Sequence, residues 1–195
     1  MLLLATGNRH KVGELSEILQ ETGVRLVDLA DYPGIPEPVE TEPTFEGNAI
    51  LKARYYHEKT GLAVLADDSG LEVDALDGRP GVQSARYGGD IPHSEKIALV
   101  LEELGELPDE LRTARFRCVA VLVDAQGQLT VSPGAVEGLI NYAPRGEGGF
   151  GYDPIFYLPE HGCTMAELPS EVKNSLSHRG RAVRGLFSQI QALID

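Results

Sequence analysis

The sequence predicts an α/β protein, a single domain over 1–195 on a long mixed, partly antiparallel sheet with flanking helices. Three observations carry this reading. Short apolar runs such as "LLLA" and "LAVLA" alternate with stretches of helical periodicity, the pattern of strands joined by helices. Two longer runs, "ARFRCVAVLVD" and "QLTVSPGAVEGLI", are separated only by "AQGQ", which calls for an antiparallel pair. The last segment places Ala182, Val183, Leu186, Phe187, Ile190 and Leu193 on one helical stripe.

Taken in order, "LLLA" is a buried strand broken by Gly7. In "KVGELSEILQETG", Val12, Leu15, Ile18 and Leu19 share a helical face that stops at Gly23. "RLVDL" is a second strand, and a loop rich in proline and glutamate follows it. Thr44 caps a helix, "FEGNAILKARYYHEKTG", that ends at Gly61. "LAVLA" is a strand running into a loop, "DDSG". Ser94 caps a helix through Leu104, and Ser177 caps the final helix. There are no repeats and no low-complexity tracts.

Composition narrows the function. Hydrophobic residues make up 42% and charged residues 24%, as in a globular, soluble chain. A formal net charge of −13 argues against a nucleic-acid partner, while leaving room for a small anion held by a few basic side chains. Of the two cysteines, Cys118 sits in an apolar run, which suits a buried thiol rather than a disulfide framework. "MLLLATGN" has no basic leader, and no run approaches the roughly 18 apolar residues of a membrane span. The expected location is the cytoplasm, with no membrane partner.

Four segments hold candidate chemistry. In "ATGNRHK", Thr6, Gly7, Asn8, Arg9, His10 and Lys11 stand where a strand meets a helix N-terminus, a place that favours phosphate. By itself the loop reads better as a plain strand-to-helix turn capped by Asn8. In "LADDSG", two carboxylates directly after a buried strand need solvent, hydrogen bonds or a cation, and Mg²⁺ takes one or two such ligands. An Asp-rich turn is the plainer alternative. "PVETEP" offers a second acid, Glu40. In "RGEGGFGYDPIF", glycines flank Phe150 and Tyr152, which suits stacking on a nucleobase, worth about 1–3 kcal/mol per base, or a hairpin whose rings fold into the core. Finally, "KNSLSHRG" gathers Lys173, His178 and Arg179 around the capping Ser177 as hydrogen-bond donors for phosphate or a keto group.

Together, "TGNRHK", "TFEGNAILKA", "LADDSGLEVDAL.GRPGVQSARY", "GGFGYDPIF" and "AEL....KN..SHRG.A" resemble the inosine triphosphate pyrophosphatase family, nearly end to end and in family order. The resemblance implies two lobes around a central cleft, a homodimer and Mg²⁺-dependent hydrolysis. The implied substrates are purine nucleoside triphosphates with a 6-oxo group (ITP, dITP, XTP), cleaved to the monophosphate and pyrophosphate. It implies Thr6, Asn8 and Lys11 on the phosphates, within the loop that includes Gly7, Arg9 and His10, and Lys52 assisting. Asp68 would be general base and metal ligand, Glu40 a second ligand, Ser69 a substrate contact and Asp67 a supporting residue. Phe150 and Tyr152, around Gly151, would sandwich the base with Asp153 nearby, and Lys173, His178 and Arg179 would read its edge. Two positions depart from the family: Gly47 where glutamate is common, with an acid one place earlier at Glu46, and Ile97 where asparagine is common.

The residues agree with that chemistry. Attack of water on the α-phosphorus needs a base, a metal to neutralise phosphate charge, and positioning. A 6-oxo purine presents an acceptor where adenine presents a donor, so a donor cluster built around Arg179 discriminates by roughly 10⁴-fold.

Overall fold

A computed structural model describes residues 1–194. Seven strands form one open sheet in the order β2-β1-β3-β4-β5-β6-β7, with β1 Leu2–Leu4, β2 Leu26–Asp28, β3 Ala63–Val73, β4 Thr113–Val123, β5 Leu129–Ile140, β6 Phe156–Leu158 and β7 Cys163–Thr164. The helices are α1 Arg9–Leu19, α2 Phe45–Thr60, α3 His93–Leu104, α4 Ser170–Leu176, α5 His178–Arg184 and α6 Phe187–Gln191. β1 pairs in parallel with β2 and β3, whereas β5–β6 and β6–β7 are antiparallel. β4 and β5 are sheet neighbours joined by a short turn in which the Asp124 amide donates to the Gln128 carbonyl (3.0 Å), a connection that only antiparallel strands permit. The mixed sheet read from the sequence is the one observed.

The chain divides into two compact units. The first comprises Met1–Asp68, Cys118–Gly134 and Ser177–Asp195 as its bounds. Strands β1 and β3 are buried on both faces there. Leu2, Leu4, Leu65, Cys118, Ala120 and Leu122 pack with Leu15, Ile18 and Leu19 of α1 and with Ala182, Val183, Leu186 and Ile190. On the opposite face, Leu3, Val64, Ala66, Val121 and Val123 pack with Ala49, Ala53 and Tyr56 of α2. Successive strand residues point to opposite faces, so this two-sided burial explains why the strands read as unbroken apolar runs.

The second unit, Ser69–Arg117 and Ala135–Leu176, has its own core. Val100 and Leu104 of α3 pack with Leu71, Val73, Phe116, Val136, Ile155 and Phe156. The buried Arg112 donates from Nε to the Ile140 carbonyl (2.7 Å) and from its Nη atoms to the carbonyls of Gly105 (3.0 Å) and Asn141 (3.2 Å). Those carbonyls supply the acceptors that a buried cation requires.

Three expectations are corrected. Ser94 does not cap α3: the helix starts at His93 after Pro92, whose carbonyl accepts from the Glu95 and Lys96 amides. The final helix is interrupted, α5 ending at Arg184 and α6 starting at Phe187. At the intervening Gly185 the chain runs close to β5, and a β-carbon there would collide with Ser132 Oγ. The third concerns "DDSG", which is no loop: β3 runs unbroken through it.

Candidate functional site

Because β3 continues past Ala66, its two-residue alternation governs the acid pair. Leu65 faces α1 and α5, and Asp67 follows it there; Val64 and Ala66 face α2, and Asp68 follows them. Two consecutive carboxylates thus serve opposite faces of the sheet.

Asp67 is 1% exposed. Its Oδ2 accepts from Lys11 Nζ at 2.9 Å and Arg179 Nε at 3.2 Å, and Cys118 Sγ lies 3.8 Å away. Its Oδ1 is buried without a hydrogen-bond partner. Burial alone would raise the Asp67 pKa, but the charges of Lys11, Arg179 and Lys52 hold it well below the usual carboxylate range. Arg179, 2% exposed, also pairs through Nη1 with Glu14 of α1. Ser177 does cap α5, accepting from the Gly180 amide at 3.0 Å. That cap fixes where the helix starts and so where Arg179 leaves it.

On the other face, Asp68 is 7% exposed. Burial raises its pKa first, and the like charges of Glu40 and Asp67 add to the rise against the opposing pull of Lys52 and Lys11. Lys52 Nζ lies 2.6 Å from Glu40 and 3.9 Å from Asp68. Burial disfavours that ammonium, yet Asp67, Asp68 and Glu40 outweigh the effect and raise its pKa. Two carboxylates converging on one positive group are a fitting donor pair for a hard divalent cation, which takes its remaining ligands from water and phosphate. Among the described residues no cluster of three or more His, Cys, Asp or Glu side chains has the geometry to hold a metal.

The loop at the start of α1 joins these groups. Asn8 is the helix cap, its Oδ1 accepting from the amides of His10 (2.9 Å) and Lys11 (3.3 Å), while Thr6 Oγ1 accepts from the Asn8 amide (3.2 Å). Gly7, Arg9 and His10 are exposed. The Glu37 carboxylate lies over the Gly7 backbone, where a β-carbon would displace it. Asn8 thus caps the helix as the plain-turn reading expects, and a capped α-helix N-terminus is also a place that favours anions.

The second unit holds the aromatic segment. Lys173 Nζ lies 2.6 Å from Asp153 Oδ2, which also accepts from the Phe150 amide at 2.8 Å. The ammonium stands 4.9 Å from the centre of the Phe150 ring, in cation–π range. Gly149, with φ 68°, makes the turn that brings the Phe150 amide to Asp153. Tyr152 is put to a different use than stacking: it is 3% exposed, donates to the Ser84 carbonyl at 3.0 Å and meets His93 edge-on at 5.7 Å. The phenol finds a buried acceptor, which favours the core reading of this ring. Phe150 and Gly151 are partly exposed. Ser69 follows Asp68 on β3, partly buried.

Sequence reasoning missed Glu14 and Asn48. Glu14 lies one turn beyond Lys11 on α1, and that spacing was its only signal. Asn48 stands inside "TFEGNAILKA", where a polar residue buried one turn into an otherwise apolar helical face was the available clue.

The sequence profile of the Ham1 family matches residues 2–189. A dITP/XTP pyrophosphatase of Desulforamulus reducens is 49% identical over 187 residues, covering 94% of this chain and 92% of that one. Another from Thermus thermophilus is 52% identical over 186 residues, covering 95% and 89%. Among solved structures, a HAM1 protein from Coxiella burnetii superposes with a TM-score of 0.87 at 41% identity, covering 98% of both chains. With a match that spans both units and nearly every strand and helix, the chain belongs to the Ham1 family.

Proposed function

We propose that this protein hydrolyses purine nucleoside triphosphates with a 6-oxo base (ITP, dITP and XTP) to the monophosphate and pyrophosphate. Its similarity to dITP/XTP pyrophosphatases supports the reaction. The observation that carries the division of labour is the split of Asp67 and Asp68 between the two faces of β3.

Mg²⁺ would be held by Asp68 and Glu40, and when bound it neutralises charge on the phosphate oxygens and favours ionisation of the attacking water. Asp68 takes the proton of that water as its oxygen adds to the α-phosphorus. The bond from the α-phosphorus to the bridging oxygen breaks, and pyrophosphate leaves with that oxygen. Lys11, steered by Asp67, and the loop from Thr6 through Gly7, Asn8, Arg9 and His10 receive the triphosphate. Lys52 and Ser69 assist. Phe150 stacks on the base beside Gly151, Asp153 and Lys173, with Tyr152 supporting that segment from the core. His178 and Arg179 supply donors to the base edge, Arg179 aimed by Glu14 and Asp67. The reading includes a homodimer in the cytoplasm. Two free cysteines agree with the latter, and among the described residues no helix is long and apolar enough to cross a membrane.

The test is a nucleotide panel (ITP, dITP, XTP, GTP, ATP) assayed for pyrophosphate and inorganic phosphate, with and without Mg²⁺. Metal-dependent release of pyrophosphate from the first three supports the reading. Release of inorganic phosphate, or binding of ITP without turnover, would overturn it.

A further inference from the structure

Asn48 is fully buried, at 0% exposure, and every polar atom of its side chain is engaged. Its Oδ1 accepts from the Glu42 amide at 3.0 Å. Its Nδ2 donates to the Glu42 carbonyl at 3.2 Å and to Asp68 Oδ2 at 3.2 Å. The amide orientation follows from these partners, because the reverse assignment would turn an oxygen toward both a carbonyl and a carboxylate. One side chain therefore grips both backbone groups of Glu42, two residues from Glu40, and one oxygen of Asp68.

The neighbouring residues make this grip possible. A β-carbon at Gly47 would lie 2.7 Å from Glu42 Cβ, so a side chain there would shift the acidic segment from its present place against α2. One helical turn beyond Asn48, Lys52 reaches Glu40 at 2.6 Å and Asp68 at 3.9 Å. Asn48 and Lys52 thus occupy one face of α2 and address the same two acids.

We infer that Asn48 is the positioning residue that sets the spacing of Glu40 and Asp68 for a divalent cation. The inference rests on the assignment of Glu40 and Asp68 as cation ligands under the proposed function. A donor aimed at one oxygen of Asp68 orients the carboxylate, and a backbone pair at Glu42 holds the segment carrying Glu40. Groups that orient metal ligands in this way typically change affinity about 10–100-fold when removed. Aspartate at 48 has nearly the same shape but would face Asp68 with a second negative charge and the Glu42 carbonyl with a second acceptor.

The experiment measures Mn²⁺ binding to the nucleotide-free protein by calorimetry for the unaltered chain, Asn48→Ala, Asn48→Asp, Thr44→Ala and Asp68→Asn. Tm and ITP turnover are recorded alongside. Thr44 accepts from the Gly47 amide as the cap of α2, so Thr44→Ala lowers Tm without touching the two acids and controls for lost stability. Asn48→Ala should raise the Kd for Mn²⁺ about 10–100-fold. It should also lower kcat while leaving KM for ITP at saturating metal within about twofold. Asn48→Asp should bind no better than Asn48→Ala, and Thr44→Ala should bind as the unaltered chain does. If Asn48→Ala does not fold, Asn48→Ser is read by the same titration. A Kd for Asn48→Ala within about twofold of the unaltered protein, or an equal loss in Thr44→Ala, overturns the inference. If Asp68→Asn itself retains full Mn²⁺ affinity and turnover, the ligand assignment has failed instead, which keeps the two failures apart.

Discussion

Asp67→Asn preserves shape but removes the one charge that Lys11 and Arg179 share. Arg179 then loses this partner in the interior while keeping its pair with Glu14, and Lys11 loses its partner at 2.9 Å. Removing one member of a buried ion pair costs about 3–5 kcal/mol, because the remaining charge stays desolvated without compensation. The unpartnered Asp67 Oδ1 offers no second interaction to soften the loss. For a chain of this length each kcal/mol shifts Tm by about 2–4 °C, so the variant should melt about 6–20 °C lower. Thermal unfolding followed by far-UV circular dichroism at pH 7, with urea unfolding for the free energy, reads the change directly. Turnover should fall as well, since Lys11 is then free to adopt other rotamers. A drop in Tm below about 2 °C would refute the reasoning, showing that the network costs as much to desolvate as it returns.

Asp68→Asn should lower ITP turnover by roughly 10²–10⁴-fold, the usual worth of general acid–base catalysis, as read by pyrophosphate release. Lys11→Met should reduce kcat/KM for every triphosphate by a similar factor and leave the ITP-to-ATP ratio intact; a collapsed ratio would assign Lys11 to the base. Arg179→Lys, which keeps a cation for Asp67 and Glu14 but removes the guanidinium fork, should cut that ratio by about 10–100-fold; an unchanged ratio would limit Arg179 to holding Asp67. Hydrogen bonds from Arg115 and then Thr113 hold the Asp74 carboxyl below its ordinary value of 3.8. Its contribution is present above that pH and lost as the pH falls through the folded value, so the stability deficit of Asp74→Asn, at most about 1 kcal/mol at neutral pH, should vanish in acid. Urea unfolding at two pH values measures it.

Most of the fold was legible because its signals are local. The Thr44 cap, the Gly61 stop and the hairpin at "AQGQ" each depend on residues within a few places of one another. The geometry of the candidate site was less legible. "DDSG" carries every mark of a turn, and only the strands and helices packed on both sides of β3 make it extended. The same tertiary context decides that Tyr152 goes into a core, since its acceptor at Ser84 is remote in sequence. Glu14 and Asn48 were hidden because their meaning lies in partners, Arg179 and Asp68, that folding brings from elsewhere in the chain.

Parity along β3 has a consequence for how the strand is held in place. A half-exposed strand resists sliding by one residue because the slide would turn its apolar side chains out to water. In the first unit both faces of β3 are greasy, so Leu65 and Ala66 could trade sides with little hydrophobic penalty. The acids cannot trade so freely. A one-residue shift would carry Asp68 to Lys11 and Arg179 and deliver Ser69 to Asn48 and Lys52, emptying the α2 side of its carboxylate. In this half of β3 charge, not grease, thus tells the strand where to stop, and a single-residue deletion between Ala63 and Ala66 should silence the protein.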